Sequence, residues 1–284
     1  MPRPVRPRNH HLGPTSRRAR ATSRACFRLY AELNDFVAPG RRGVEFVHEF
    51  SGNPSVKDVI ESLGVPHTEV DLILADGESV DFSWKLRNGA RVSVYPVFES
   101  LDITPMTRVR PSPLRDPQFI LDGHLRRLAR YLRMLGFNAR WHNDPPDEEL
   151  AQIAAEEHRI LLTRDVGLLK RSAVTHGYFV RATHPRQQLA EVVDRLDLLH
   201  AIAPFRRCLC CNDLLETVPR EEVGDVPPPA VLEHHDAFRR CPSCKRVYWW
   251  GSHTRRMRAL IAEVIERAHP LSNEPLAPVP RVSR

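Results

Sequence analysis

Between Gln118 and Ala203 the chain repeats one pattern: a short apolar run, then apolar residues at helical spacing. The first run is Gln118-Phe119-Ile120-Leu121. Leu125, Leu128, Ala129, Leu132 and Leu135 follow on one helical face, and Gly136 ends that helix. Phe137 to Trp141 reads as a second strand. Leu150, Ile153 and Ala154 mark a second helix, started by Asp144-Pro145-Pro146-Asp147. Arg159 to Thr163 reads as a third strand and Val166, Leu168 and Leu169 as a short helix. Gly177-Tyr178-Phe179-Val180 reads as a fourth strand, and Leu189, Val192, Val193 and Leu196 as a last helix. Strand and helix units of this length predict a mostly parallel sheet with helices on its faces.

In such a sheet, ligands bind outside the carboxyl ends of the strands. The first strand ends at Asp122 and the third at Asp165, so parallel pairing places both acids on one edge. The loop before the second helix opens there too, with Asp144, Asp147, Glu148 and Glu149. Three or four converging carboxylates call for a cation, and Mg²⁺ or Mn²⁺ suits hard oxygen ligands and keeps room for phosphate oxygens. Each acid also suits a helix N-cap, and one carboxylate can serve both ends. Arg126, Arg127, Arg130 and Arg133 lie off the apolar stripe of the first helix. They read either as a solvated face or as phosphate contacts beside the acids. Arg164 and Arg181, at strand ends, are further candidates for holding phosphate.

Arg207-Cys208-Leu209-Cys210-Cys211-Asn212 and Arg240-Cys241-Pro242-Ser243-Cys244-Lys245 contain two C-x2-C pairs with 29 residues between them. Cys208, Cys211, Cys241 and Cys244 together supply the four soft ligands of a closed, structural Zn²⁺ site. Cys210 is an alternative ligand within the first pair. The second pair runs into Val247-Tyr248-Trp249-Trp250 beside Lys245, Arg246, Arg255 and Arg256. Aromatics among cations suit single-stranded nucleic acid or the packing of a small ribbon core.

The flanking segments differ in composition. Residues 1–24 hold seven Arg and no acid, which predicts a disordered basic leader and also fits a mitochondrial transit peptide. They contain no apolar run, so the expectation is a cytoplasmic protein with no membrane span. The formal charge of +7 over 284 residues is mild and concentrated in that leader. Between 25 and 100, strand-like runs at Cys26–Tyr30, Val44–Val47, Val70–Leu74 and Arg91–Tyr95 flank one helix that begins after Ser55 and ends at Gly64. This order resembles a ubiquitin-like β-grasp domain. Ser55-Val56-Lys57-Asp58-Val59-Ile60-Glu61-Ser62-Leu63-Gly64 and Leu86-Arg87-Asn88-Gly89-Ala90-Arg91-Val92 are similar to the small sulfur carriers. Those carriers end in Gly-Gly, whereas here Tyr95-Pro96-Val97-Phe98 continues the chain. That argues for a recruitment or structural role. Residues 101–117 read as a linker and 270–284 as a Pro-rich disordered tail.

Asp122-Gly123-His124-Leu125-Arg126-Arg127-Leu128-Ala129-Arg130-Tyr131-Leu132-Arg133-Met134-Leu135-Gly136-Phe137, then Ile160-Leu161-Leu162-Thr163-Arg164-Asp165, then Cys241 to His253, resemble the Mut7-C family. This is a PIN-like nuclease domain with a zinc ribbon, often preceded by a ubiquitin-like domain. The resemblance implies three folded parts: a β-grasp domain over 25–100, a PIN-like α/β domain over 118–203 and a zinc ribbon over 204–269. It also implies an RNA phosphodiesterase using acids and Mg²⁺ or Mn²⁺. Asp122 matches the family's first acid and Asp165 its later one. Asp147 is the favoured middle acid, with Asp144 next. Arg126, Arg130 and Arg164 would bind substrate, and single-stranded RNA is the expected partner. A protein partner would dock on the β-grasp domain. A non-catalytic RNA-binding adaptor is the rival reading.

Overall fold

A computed structural model describes residues 22–96, 109, 117–224 and 226–268. The tail over 270–284, the linker apart from residues 109 and 117, and the leader up to residue 21 lie outside the described residues. The leader was expected to reach residue 24. Instead β1 (Thr22–Leu29) begins inside it, because Thr22 pairs with Ser51 of β2 (Phe46–Ser51).

The N-terminal sheet is mixed. After β2 come α1 (Val56–Ser62), β3 (Leu72–Ala75), β4 (Glu78–Ser79) and β5 (Arg91–Tyr95). The strand order is β2-β1-β5-β3-β4, with β1 and β5 parallel and the other pairs antiparallel. Helix α1 starts in a capping box: the Ser55 hydroxyl accepts from the Asp58 N–H, and the Asp58 carboxylate accepts from the Ser55 N–H. Its Val56, Val59 and Ile60 bury against Phe27, Leu29, Ile73, Val92 and Val94.

The central sheet is parallel throughout, as expected. Its elements are β6 (Phe119–Leu121), α2 (Arg126–Leu135), β7 (Ala139–Trp141), α3 (Asp147–Glu156), β8 (Ile160–Thr163), α4 (Val166–Leu169), β9 (Gly177–Phe179) and α5 (Pro185–Arg195). The strand order is β7-β6-β8-β9. Alternation along the strands splits the core into two layers. Phe119, Leu121 and Leu162 face Leu128, Leu132 and Leu189, while Ile120 and Leu161 face Leu150, Ala154 and Leu168.

The C-terminal part holds a three-stranded antiparallel sheet of β10 (Glu216–Pro219), β11 (Ala237–Arg240) and β12 (Val247–Tyr248). A short helix, α6 (Pro229–Leu232), lies in the proline-rich insertion between the cysteine pairs. The last helix, α7 (Ser252–Ala268), leaves the ribbon. Its Leu260, Ile261 and Val264 complete the central core beside α5. Residues 204–269 thus contribute to two cores.

Both edges of the central sheet are covered. On the β7 edge, the Ala139 N–H donates to Asn212 Oδ1 at 3.0 Å, and Asn212 Nδ2 donates to Asn138 Oδ1 at 2.7 Å. On the β9 edge, the Phe179 N–H donates to Glu69 Oε1 at 2.5 Å. Lys170 Nζ donates to the Glu61 carbonyl, and the His67 ring nitrogens face Glu61 Oε1 and the Val174 carbonyl. Among the described residues, no helix is long and apolar enough to cross a membrane.

Candidate functional site

The first site is built by two tight turns. In each, the residue after the second cysteine takes a left-handed backbone: Asn212 at φ 75° and Lys245 at φ 59°. The Asn212 N–H donates to the Cys208 carbonyl and the Lys245 N–H to the Cys241 carbonyl, at 3.0 and 3.1 Å. Each turn therefore presents its two thiols to one side. The Sγ atoms of Cys208, Cys211, Cys241 and Cys244 all lie within 4.8 Å of one another. Cys208 to Cys244 is 3.5 Å and Cys211 to Cys241 is 3.2 Å. A tetrahedral zinc with Zn–S bonds of about 2.3 Å needs sulfurs about 3.8 Å apart, so the quartet fits. This donor set could bind zinc and fills all four positions, which suits a structural ion. Cys210 stays exposed and outside the quartet.

Two residues that sequence reading named for other roles hold this site. The Tyr248 hydroxyl accepts from the Leu209 N–H at 3.2 Å and donates to Cys208 Sγ at 3.2 Å. Burial pushes the Cys208 thiol up, but this bond and the backbone N–H groups of Cys211 and Cys210 bring it down to about 6. The second is Arg133, expected off the apolar stripe of α2 yet only 4% exposed. Its Nε donates to the Ala139 carbonyl at 2.8 Å, and its Nη1 donates to the Cys210 carbonyl at 2.6 Å and the Leu209 carbonyl at 3.4 Å. The position was legible in part, because Arg133 stands four residues after the buried Ala129, at the rim of the stripe. The aromatics divide as well. Trp249 packs on the ribbon core, while Trp250 is 45% exposed, meets Phe205 edge-on and lies 4.7 Å from the Arg258 guanidinium.

The second site is the carboxyl edge of the central sheet. The chain leaves β6 toward β7 on one side and returns through β8 on the other, so the switch point lies between β6 and β8. Asp122 and Asp165 follow these two strands. Asp122 caps the turn before α2, is only 8% exposed and accepts from the His124 N–H at 2.8 Å. Its Oδ2 accepts from the Thr163 hydroxyl at 2.5 Å and from the Arg164 N–H at 3.4 Å. The same hydroxyl oxygen accepts from the Asp165 N–H at 2.9 Å. Thr163 therefore links the two acids. Asp165 caps α4: its Oδ1 accepts from the N–H groups of Gly167 and Leu168 at 2.6 and 3.3 Å. Both bonds use Oδ1, so Oδ2 can take another ligand.

The other expected site residues fall less neatly. Asp144 has a left-handed backbone at φ 53°, and its N lies 3.2 Å from where a Cβ on Gly123 would sit. The loop of Asp144 therefore touches the loop after β6. Asp147 opens α3 at the surface, with its carboxylate 3.8 Å from Arg171. Among the described residues, the cysteine quartet is the one group of three or more such ligands that gathers within 4.8 Å. The expected convergence of three or four carboxylates is therefore not preformed. Backbone caps claim Asp122 and Asp165, while Asp147 faces Arg171 and Asp144 lies in the loop before α3. Arg126 sits over the Trp141 ring at 5.2 Å, and Arg130 is exposed on α2. Arg164 differs from the expected phosphate ligand, because its Nη1 donates to the carbonyls of Val180, Arg181 and Ala182 at 2.9, 2.7 and 2.7 Å.

The comparisons with known proteins agree with this architecture. No curated protein matches the chain. The Mut7-C ubiquitin family model matches residues 22–102, which makes the N-terminal mixed sheet the ubiquitin-like part. The Mut7-C RNAse domain model matches residues 117–261, which takes in the parallel sheet, the cysteine quartet and most of α7. With half of its length in that match, the chain belongs to the Mut7-C RNAse domain family.

Proposed function

We propose that the protein is a metal-dependent ribonuclease that cleaves single-stranded RNA at the carboxyl edge between β6 and β8. The observation that carries this reading is the pair Asp122 and Asp165, joined through Thr163 at the switch point of a parallel sheet. Two carboxylates with open positions suit Mg²⁺ or Mn²⁺, which keep waters and substrate phosphate in their shell. Asp122 and Asp165 would hold the ion, with Asp147 and Asp144 as candidates for a third ligand. An ion held there supplies activation of water and offsets charge on the leaving oxygen.

The protein's own groups supply position. Thr163 fixes the Asp122 carboxylate, and the α4 N-terminus fixes Asp165. Arg126, Arg127 and Arg130 are exposed along α2, which runs away from the acids toward the zinc ribbon. Ten residues of helix span about 15 Å. A strand of RNA bound along this row would have its phosphates neutralised and could reach the ribbon's exposed Trp250 for stacking.

The test is cleavage of single-stranded RNA with Mn²⁺, comparing the parent with Asp165→Asn. Loss of at least about tenfold in rate is expected for losing one ligand of a two-carboxylate site. Equal rates would sink the role of Asp165. A second reading, an RNA-binding adaptor without catalysis, is favoured by the absence of a preformed three-carboxylate cluster among the described residues. It predicts salt-sensitive RNA binding with no Mn²⁺-dependent cleavage.

A further inference from the structure

We propose that the ubiquitin-like domain is a fixed brace for the acidic edge, and that Glu69 and Arg181 are its positioning residues. The claim rests on the proposed nuclease reading for its catalytic meaning, but its structural content stands separately.

The contacts form one continuous path. Glu69 is 4% exposed and belongs to the ubiquitin-like domain. Its Oε1 accepts from the Phe179 N–H at 2.5 Å, a donor on an edge strand that points away from the sheet. Its Oε2 accepts from Arg181 Nη2 at 2.9 Å. Arg181 is also held by Asp35 Oδ2 at 3.2 Å, and its Nη1 donates back to the Phe179 carbonyl at 2.9 Å. Phe36 packs edge-on against Phe179 at 5.4 Å and lies under the Arg181 guanidinium. The segment after β9 is thus gripped from outside by the ubiquitin-like domain.

The same segment is gripped from inside by Arg164. Three successive carbonyls, Val180 to Ala182, converge on one nitrogen of that side chain. Glu191 holds the curl by accepting from the N–H groups of Arg181 and Ala182, at 2.7 and 2.8 Å. Arg164 stands between Thr163 and Asp165, and its own N–H reaches Asp122 Oδ2. A shift of the 179–182 segment therefore moves Arg164, and with it the backbone that orients both acids. No recruitment of an outside partner is needed to account for these buried charges.

The experiment is hydrogen exchange of the whole protein, comparing the parent with Glu69→Gln and Glu32→Gln. Glu32 pairs with Arg195 at 2.9 Å, so its variant breaks another ion pair between the same two domains without removing any of the bonds to the 179–182 segment described above. The readout is the amides of Arg164, Asp165, Gly167 and Leu168, which donate to Asp122, Thr163 and Asp165. Glu69→Gln should speed their exchange by roughly tenfold, the ratio for losing one charge-assisted hydrogen bond. Glu32→Gln should leave them at the parent rate. Parent-like exchange in Glu69→Gln, or equal acceleration in both variants, overturns the proposal. If Glu69→Gln does not fold, Arg181→Lys gives the same readout, because one ammonium cannot hold Glu69, Asp35 and the Phe179 carbonyl in the guanidinium's geometry. A Mn²⁺ titration of RNA cleavage then shows a raised half-saturating concentration in Glu69→Gln alone. A parent that cleaves no RNA would sink the nuclease reading, while the exchange rates still decide the brace.

Discussion

Replacing Arg133 by Met tests how the ribbon is joined to the central domain. The side chain stays long and apolar, so little packing volume is lost. What is lost is a guanidinium that serves three carbonyls, those of Ala139, Cys210 and Leu209. Two of these bonds, at 2.8 and 2.6 Å, are well formed and the third, at 3.4 Å, is long. Leaving a buried acceptor unpaired costs about 1–3 kcal/mol each, so two well-formed bonds imply about 2–6 kcal/mol. Part is returned, because burial already disfavours the charge and pushes the guanidinium pKa down. A net loss of about 3 kcal/mol is expected, and for a cooperative unit of this size that lowers Tm by roughly 6–12 °C. Calorimetry on the zinc-loaded protein measures it, and chelator competition should show weaker zinc retention, since Cys210 and Leu209 lie inside the first turn of the site. Arg133→Lys should fall between, keeping charge but not the fork. A Met variant with parental Tm and zinc affinity would refute the clasp.

Two further changes probe the end of α2 and the ubiquitin-like domain. Gly136→Ala should cost about 2–5 kcal/mol, because the position has φ 101° and a Cβ would sit 2.1 Å from the Ala203 carbonyl; the urea midpoint should fall with an unchanged m-value. Asp58→Asn should weaken the α1 capping box by less than about 1 kcal/mol. The Ser55 hydroxyl and N–H hold the Asp58 carboxyl below its usual value. Its folded pKa is depressed, so its contribution is full above the unfolded value, about 3.9, and fades as pH falls through the folded one. Thermal midpoints of parent and variant should therefore differ at neutral pH and converge below about pH 4.

The parallel sheet was legible because each strand and helix carries its own periodicity. The cysteine quartet was legible because spacing alone brings two thiols to one turn. The acids were legible only as strand-end residues. Whether Asp147 or Asp144 approaches Asp122 depends on a loop whose path is set by a left-handed residue and by contact at Gly123, which no periodicity reports. Arg164 misled for a related reason. A cation beside a catalytic-looking acid reads as a phosphate ligand, but its partners are backbone carbonyls nearly twenty residues later. Glu69 gave no signal, since its partners lie more than a hundred residues away.

The central sheet also explains why the appended parts dock where they do. Its strands are only three or four residues long, and both outer strands would otherwise expose unpaired backbone groups. The ribbon supplies Asn212 to the Ala139 N–H at one edge, and the ubiquitin-like domain supplies Glu69 to the Phe179 N–H at the other. Each uses a side-chain acceptor rather than another strand, so one outward N–H at each edge is satisfied without lengthening the sheet. The carboxyl ends of β6 and β8, between these two caps, are left as its open side. Asp122 and Asp165 stand there, so stability is supplied at the flanks and the edge that the proposed reading assigns to substrate is left between them.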